Sequence, residues 1–110
     1  MELTYKTRKL EKMCEDPKYN SELVKKYGIQ VAKKLPQRIA ELKAFDCLND
    51  VPVFLPYRRH KLSGDLKDYF AVNIDIQYRL IFRPFGNKIV VENLEEIKEI
   101  EIMEVSKHYE

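Results

Sequence analysis

Residues 56–65, PYRRHKLSGD, set Arg58, Arg59, His60 and Lys61 side by side just before a glycine turn. Like charges repel, so a run of cations with an imidazole suits an anionic partner. Two more arginines, Arg79 and Arg83, stand four residues apart in YRLIFRP, and Lys67 follows the glycine turn. Other chemistries find no support. The two histidines are 48 residues apart, no HExxH pattern occurs, and 3 glycines cannot build a phosphate-cradling loop. Nothing supports a Ser/His/Asp arrangement. What remains is a set of basic residues, histidines and tyrosines gathered in the C-terminal half. It allows a nucleic-acid partner without demanding one.

Strand alternation limits which of these residues act together. Neighbours on a strand point to opposite sides, so only one of Arg58 and Arg59 is expected on a given face, the other being solvated surface. His60 has a plain alternative as a half-buried sheet residue hydrogen-bonded to backbone. Arg79 is the most informative cation. Its neighbours Tyr78 and Leu80 are expected in the core, so Arg79 projects from the other face of a central strand. Its alternative is an ion pair with a glutamate of the acidic C-terminal stretch. Tyr69, Phe70 and Tyr78 read as core residues rather than platforms for bases.

The elements that must position these residues come from a chain of 110 residues, 45% hydrophobic and 35% charged, which reads as one domain over 1–110. ELTY (2–5) reads as an edge strand, and 7–14 as a helix with Leu10, Met13 and Cys14 on one face. A second helical stretch spans about 21–45, where Val24, Tyr27, Val31, Leu35, Ile39 and Leu42 step by three or four. A break near Gly28 or a kink near Pro36 is expected in it. FDCLNDVPVFLP (45–56) is a connector between its prolines. Then the period turns to alternation in RRHKL, YFAVNI, YRLIFRP, KIVVEN and EIEIMEV, with turns at 63–65 and 85–88. LEEIKEI (94–100) is equally open to a helical turn. The expected fold is α+β, two N-terminal helices packed on one face of an antiparallel sheet.

Net charge is only +2, but it is unevenly spread. Residues 1–45 carry 11 Lys/Arg against 6 Asp/Glu, whereas 92–110 carry 2 against 7. A basic face opposite an acidic patch follows. No apolar run approaches the roughly 20 residues of a membrane span, and the charged start is unlike a secretory signal. A cytoplasmic protein with no membrane partner is expected. Cys14 and Cys47 read as two thiols rather than a disulfide.

Three stretches together resemble the HigB branch of the RelE toxin superfamily. They are KKYGIQVAKKLPQRIAELKAF, YRRHKLSGDLKDYFAVNIDIQYRLIF and a final MEVSKHY, in order over nearly the whole chain. The most specific parts are His60-x-Leu62-x-Gly64, Ala71 six residues after Asp65, and Gln77-Tyr78-Arg79-Leu80-Ile81-Phe82. The resemblance implies a toxin that cleaves mRNA on the ribosome without a metal or other cofactor. It also implies a cognate antitoxin, a small helix-turn-helix protein encoded nearby. The chain departs from relatives that read HPLKGxRxG, having Ser63 for the lysine and Leu66 for the arginine. It also ends in Lys107-His108-Tyr109 where many relatives have Asp-Tyr-His.

The implied chemistry is attack of a ribose 2′-hydroxyl on the adjacent phosphate. It needs a base, cations for the phosphorane oxygens and an acid for the departing 5′-oxygen. The resemblance casts Arg79 and Arg59 on phosphate charge and His108 or His60 as proton carrier, assisted by Tyr109 and Lys61. Arg58, Arg59, Lys61, Lys67 and Arg83 form the implied RNA-binding set. The rival is a non-nuclease toxin of the ParE type acting on DNA gyrase, and a third reading is a weakened interaction module. A monomer is expected, with an acidic antitoxin segment drawn to the cations of 6–43 (Lys9, Lys25, Lys26, Lys33, Lys34).

Overall fold

The computed structural model describes residues 1–85 and 93–107. In chain order these form β1 (Glu2–Tyr5), α1 (Arg8–Glu15), α2 (Asn20–Tyr27), α3 (Ile29–Ala44), β2 (His60–Lys61), β3 (Phe70–Asn73), β4 (Tyr78–Pro84) and β5 (Glu99–Lys107). The five strands make one sheet in the order β1-β5-β4-β3-β2. Every pairing is antiparallel except that of β1 with β5, which is parallel. The α+β architecture expected from the sequence is the one observed.

Two details differ. The long second helix is two helices, because Gly28 takes a φ of 96° that a side chain resists. Its N–H donates to the Val24 carbonyl at 2.9 Å, closing α2, and its carbonyl accepts from Ala32 at 3.1 Å, opening α3. Pro36 stays inside α3 on its exposed side and does not end it. The stretch 94–100 divides into a 3₁₀ turn, Leu94–Glu96, and the start of β5. Of the expected strand KIVVEN (88–93), only Asn93 is among the described residues.

The sheet buries one face against the helices. Val31, Leu35, Ile39 and Leu42 of α3 are at most 2% exposed, as their spacing requires. They meet Phe70 and Val72 of β3, Leu80 and Phe82 of β4, and Ile100 and Ile102 of β5 in one cluster. Phe70 and Phe82 stack at 6.1 Å, and Tyr78 meets Tyr27 edge-on at 5.2 Å, so these rings serve the core. Cys14 and Cys47 are buried free thiols, and burial pushes the Cys14 thiol up to about 12.

One buried cation ties helix to sheet. Arg38 of α3 is 5% exposed. Its Nε donates to the Asn73 carbonyl at 2.9 Å, its Nη2 to the Ile74 carbonyl at 3.4 Å, and its Nη1 to Glu41 at 2.6 Å. The guanidinium also lies 4.9 Å from the Tyr57 ring centroid. It therefore fixes the end of β3 where the far face of the sheet begins.

Candidate functional site

Alternation along β3 and β4 turns Ala71, Asn73, Arg79, Ile81 and Arg83 away from the helices. Paired residues share a face, so strand register decides their company. Asn73, Arg79 and Ser106 form one row across three strands. His60, Ala71 and Ile81 form the next, and Arg83 stands opposite Glu101 further along.

Arg79 is partly exposed, but its Nε is buried and has no hydrogen-bond partner among the described residues. Among the described residues it makes no ion pair. One glutamate of the acidic C-terminal stretch, Glu101, pairs with Arg83 instead. Glu101 accepts from Arg83 Nε at 2.9 Å and lies 2.8 Å from its Nη2. That hydrogen bond, with the Glu101 charge, raises the Arg83 guanidinium above its ordinary value. Asn73, on the row with Arg79, likewise has a buried Oδ1 without a partner. An unpaired buried donor and an unpaired buried acceptor thus sit on adjacent strands of one face. Each is a destabilising feature that the fold retains.

His60 is fixed by its own chain. Its Nδ1 lies 2.9 Å from the Arg58 carbonyl, which can only accept, so Nδ1 carries a proton. A neutral ring then keeps its lone pair on Nε2, the state a general base requires. Strand spacings put the Cα atoms of His60 and Arg79 about 12 Å apart on the same face. That separation lets an arginine and an imidazole flank one phosphodiester.

The basic run divides, Arg58 and Arg59 by the backbone of the loop before β2 and His60 and Lys61 by strand alternation. Arg58 is exposed and takes a φ of 49°, a left-handed conformation that a side chain resists, which turns it away from its neighbour. Arg59 turns inward, its Nε donating to the Val51 carbonyl at 2.8 Å, and burial holds its guanidinium below the ordinary value. Lys61 shares a row with Phe70 and so points to the opposite face from His60. Lys67 is exposed and ends the 3₁₀ turn Gly64–Leu66. Tyr69 faces Arg83, 6.0 Å from ring centroid to guanidinium. The structure thus brings Arg79, His60 and Arg58 into one region and leaves Arg59, Lys61 and Arg83 committed elsewhere or facing away. His108 and Tyr109 lie outside the described residues.

Sequence reasoning missed Arg38 and Asn73. Arg38 had a signal: it falls between Leu35 and Leu42 on the buried stripe of α3, where a cation is out of place. Asn73 had none, because its importance comes from the strand beside it. Among the described residues, no three His, Cys, Asp or Glu side chains gather as a metal site.

No known family pattern matches the sequence, and no curated protein sequence matches it. Solved structures do. The YoeB/ParE toxin from Agrobacterium tumefaciens is similar with a TM-score of 0.54 at 16% identity, covering 99% of this chain and 100% of that one. A YoeB–YefM complex from Staphylococcus aureus gives 0.54 at 17% identity, covering 99% and 98%. YafQ from E. coli gives 0.55 at 15% identity, covering 97% and 92%. At these identities the likeness is one of fold, and it runs from end to end.

Proposed function

We propose that this chain is the toxin of a type II toxin–antitoxin pair, of the RelE superfamily and similar to its HigB branch. Its activity is metal-independent cleavage of mRNA on the ribosome. Its partners are that mRNA and a cognate antitoxin. The observation that carries this function is Arg79, an arginine on the sheet face turned from the helices that pairs with no carboxylate among the described residues, in a fold shared end to end with a named toxin. YoeB, the type named in that toxin, is found in a complex with YefM in the Staphylococcus structure, which supports a protein partner here.

In this mechanism His60 Nε2 removes the proton of the ribose 2′-hydroxyl, its ring held by the Arg58 carbonyl. The hydroxyl oxygen attacks the neighbouring phosphorus, and the Arg79 guanidinium receives the charge that builds on the phosphorane oxygens. Arginine suits that position because it stays charged and forks onto two oxygens. Arg58, exposed beside His60, and Lys67 steer the flanking backbone. Arg59 braces the loop that carries Arg58 and His60 through its bond to the Val51 carbonyl, while Lys61, on the opposite face, and Arg83, held by Glu101, take no part in the step. His108, with Tyr109 assisting, serves as the acid for the departing 5′-oxygen.

The departures Ser63 and Leu66 favour a second reading. Both residues are exposed, and neither brings a cation to the turn after His60. A ParE-type toxin that inhibits DNA gyrase needs no nuclease residues. Controlled expression followed by mapping of transcript ends separates the two. Cuts within translated codons support the nuclease. Intact messages with stalled replication refute it in favour of gyrase.

A further inference from the structure

Between α3, the loop before β2 and the end of β3 lies a cleft of about 530 Å³, lined by Lys34, Leu55, Pro56, Arg58, Asn73 and Ile76 among others. Two of its lining residues, Leu55 and Ile76, belong to an apolar surface that continues along the chain from Leu55 into Phe54 and Val53. Val53, Phe54 and Leu55 are 60%, 69% and 71% exposed, and Ile76 is 92% exposed. A run of three exposed apolar residues is a liability unless something covers it.

The segment that carries them is held firmly. The Arg58 N–H donates to the Phe54 carbonyl at 2.8 Å, the Arg59 N–H to the Pro52 carbonyl at 3.0 Å, and the Asn73 N–H to the Tyr57 carbonyl at 2.7 Å. With the Arg59 side chain on Val51, these bonds fix the loop to β3 and to itself. Its apolar side chains are therefore presented in a set geometry, which lowers the ordering cost of binding.

Charge identifies the occupant. Lys34 and Arg58 make no ion pair among the described residues, while Arg38 is neutralised by Glu41. The one carboxylate on the cleft, Asp75, is turned to its own backbone, accepting from Gln77 at 2.9 Å and Tyr78 at 2.7 Å. Two free cations framing aliphatic side chains match an acidic, amphipathic protein segment. They match RNA less well, because the apolar residues that line the cleft itself, Leu55, Pro56, Ile74 and Ile76, are aliphatic and offer no stacking surface.

We propose that this cleft docks an acidic amphipathic segment of the antitoxin, with an apolar side chain against Leu55 and Ile76 and carboxylates on Lys34 and Arg58. Arg58 belongs to both surfaces, because its carbonyl holds His60, and Asn73 lines the cleft while neighbouring Arg79. The docked segment thus competes with RNA for Arg58 and closes one side of the site. This docking rests on the toxin function proposed for the chain.

The experiment co-expresses the full chain with the protein encoded by the adjacent reading frame. It measures affinity at low and high salt, and separately cleavage of ribosome-bound mRNA by the chain without its antitoxin. Leu55→Asn with Ile76→Asn should weaken the complex at least about tenfold. Lys34→Glu should weaken it at low salt and flatten its salt dependence. Cleavage should be unchanged in all of them, since none of these residues is in the RNA site. An unchanged affinity in the Leu55/Ile76 double variant overturns the docking and leaves the toxin function standing. Loss of RNA cleavage with antitoxin affinity intact assigns the cleft to RNA and also overturns it. Wild-type chain that neither cleaves RNA nor binds the neighbouring protein refutes the toxin function itself.

Discussion

Replacing Arg79 by methionine should make the protein inactive and more stable at once. The stability side follows from the Nε, which is buried without a partner among the described residues. Such a group destabilises the folded state by about 1–3 kcal/mol, and methionine keeps the aliphatic stem without the polar atom. Taking the lower end and an unfolding entropy of about 2.1 cal/mol/K per residue, 1 kcal/mol raises Tm by about 4 °C in a chain of this length. The activity side follows from the charge on the phosphorane. Removing a fixed donor from a developing anion costs about 3–4 kcal/mol, or 10²–10³ in rate. Arg79→Lys should retain a small fraction of activity, because an ammonium cannot fork onto two oxygens. Thermal melting and cleavage of a ribosome-bound message are the two assays. If Arg79→Met melts several degrees below the parent, the guanidinium is structural and its missing bond is made in solution. If cleavage persists at near the parental rate, Arg79 is not the phosphate anchor.

Arg38→Met should destabilise the fold by about 3–5 kcal/mol in denaturant titration, because it leaves the Asn73 and Ile74 carbonyls without their donor and Glu41 without its cation; a loss under about 1 kcal/mol would refute the tie between α3 and β3. Glu15 carries the acid sensitivity of the α1–α3 contact, accepting from Lys43 at 2.5 Å and from Tyr5 at 2.6 Å. Burial pushes its carboxyl up, but the hydrogen bonds from Lys43 and Tyr5 and the Lys43 charge outweigh it and hold the net value below the ordinary 4.5. The unfolded chain therefore takes up this proton first, so the stabilisation is complete above the ordinary carboxylate value and is lost as pH falls through the folded one. Glu15→Gln should flatten the decline of stability below about pH 5, and parallel acid titrations of the two proteins would sink this assignment. Arg58→Gly should raise stability by about 1 kcal/mol by relieving the left-handed backbone while weakening RNA binding; a drop in Tm would show that the Arg58 side chain stabilises the loop.

What the sequence determined by itself is whatever repeats locally. The step of three and four from Val31 to Leu42 places α3 against the sheet, because a helix repeats its face every 3.6 residues whatever surrounds it. Alternation in YRLIFRP sends Leu80 and Phe82 inward and Arg79 and Arg83 outward for the same kind of reason. Gly28 was visible as one of two candidate interruptions. What distinguishes Arg79 from Arg83 was not visible, since both share a strand, a face and a residue type. Only the register of β5 separates them, setting Glu101 opposite one and Ser106 opposite the other. That register has a shift between Ile81 and Phe82, so neither residue counting nor composition of the acidic stretch could place the carboxylate. Arg58 and Arg59 divide for a similar reason. Adjacent in sequence, they are sorted by a loop whose hydrogen bonds reach Val51, Pro52, Phe54 and Asn73, so one guanidinium is spent on backbone and the other makes no ion pair among the described residues. Local periodicity fixes which face a side chain takes, but its charge partner comes from a distant strand, and only tertiary structure brings that strand alongside.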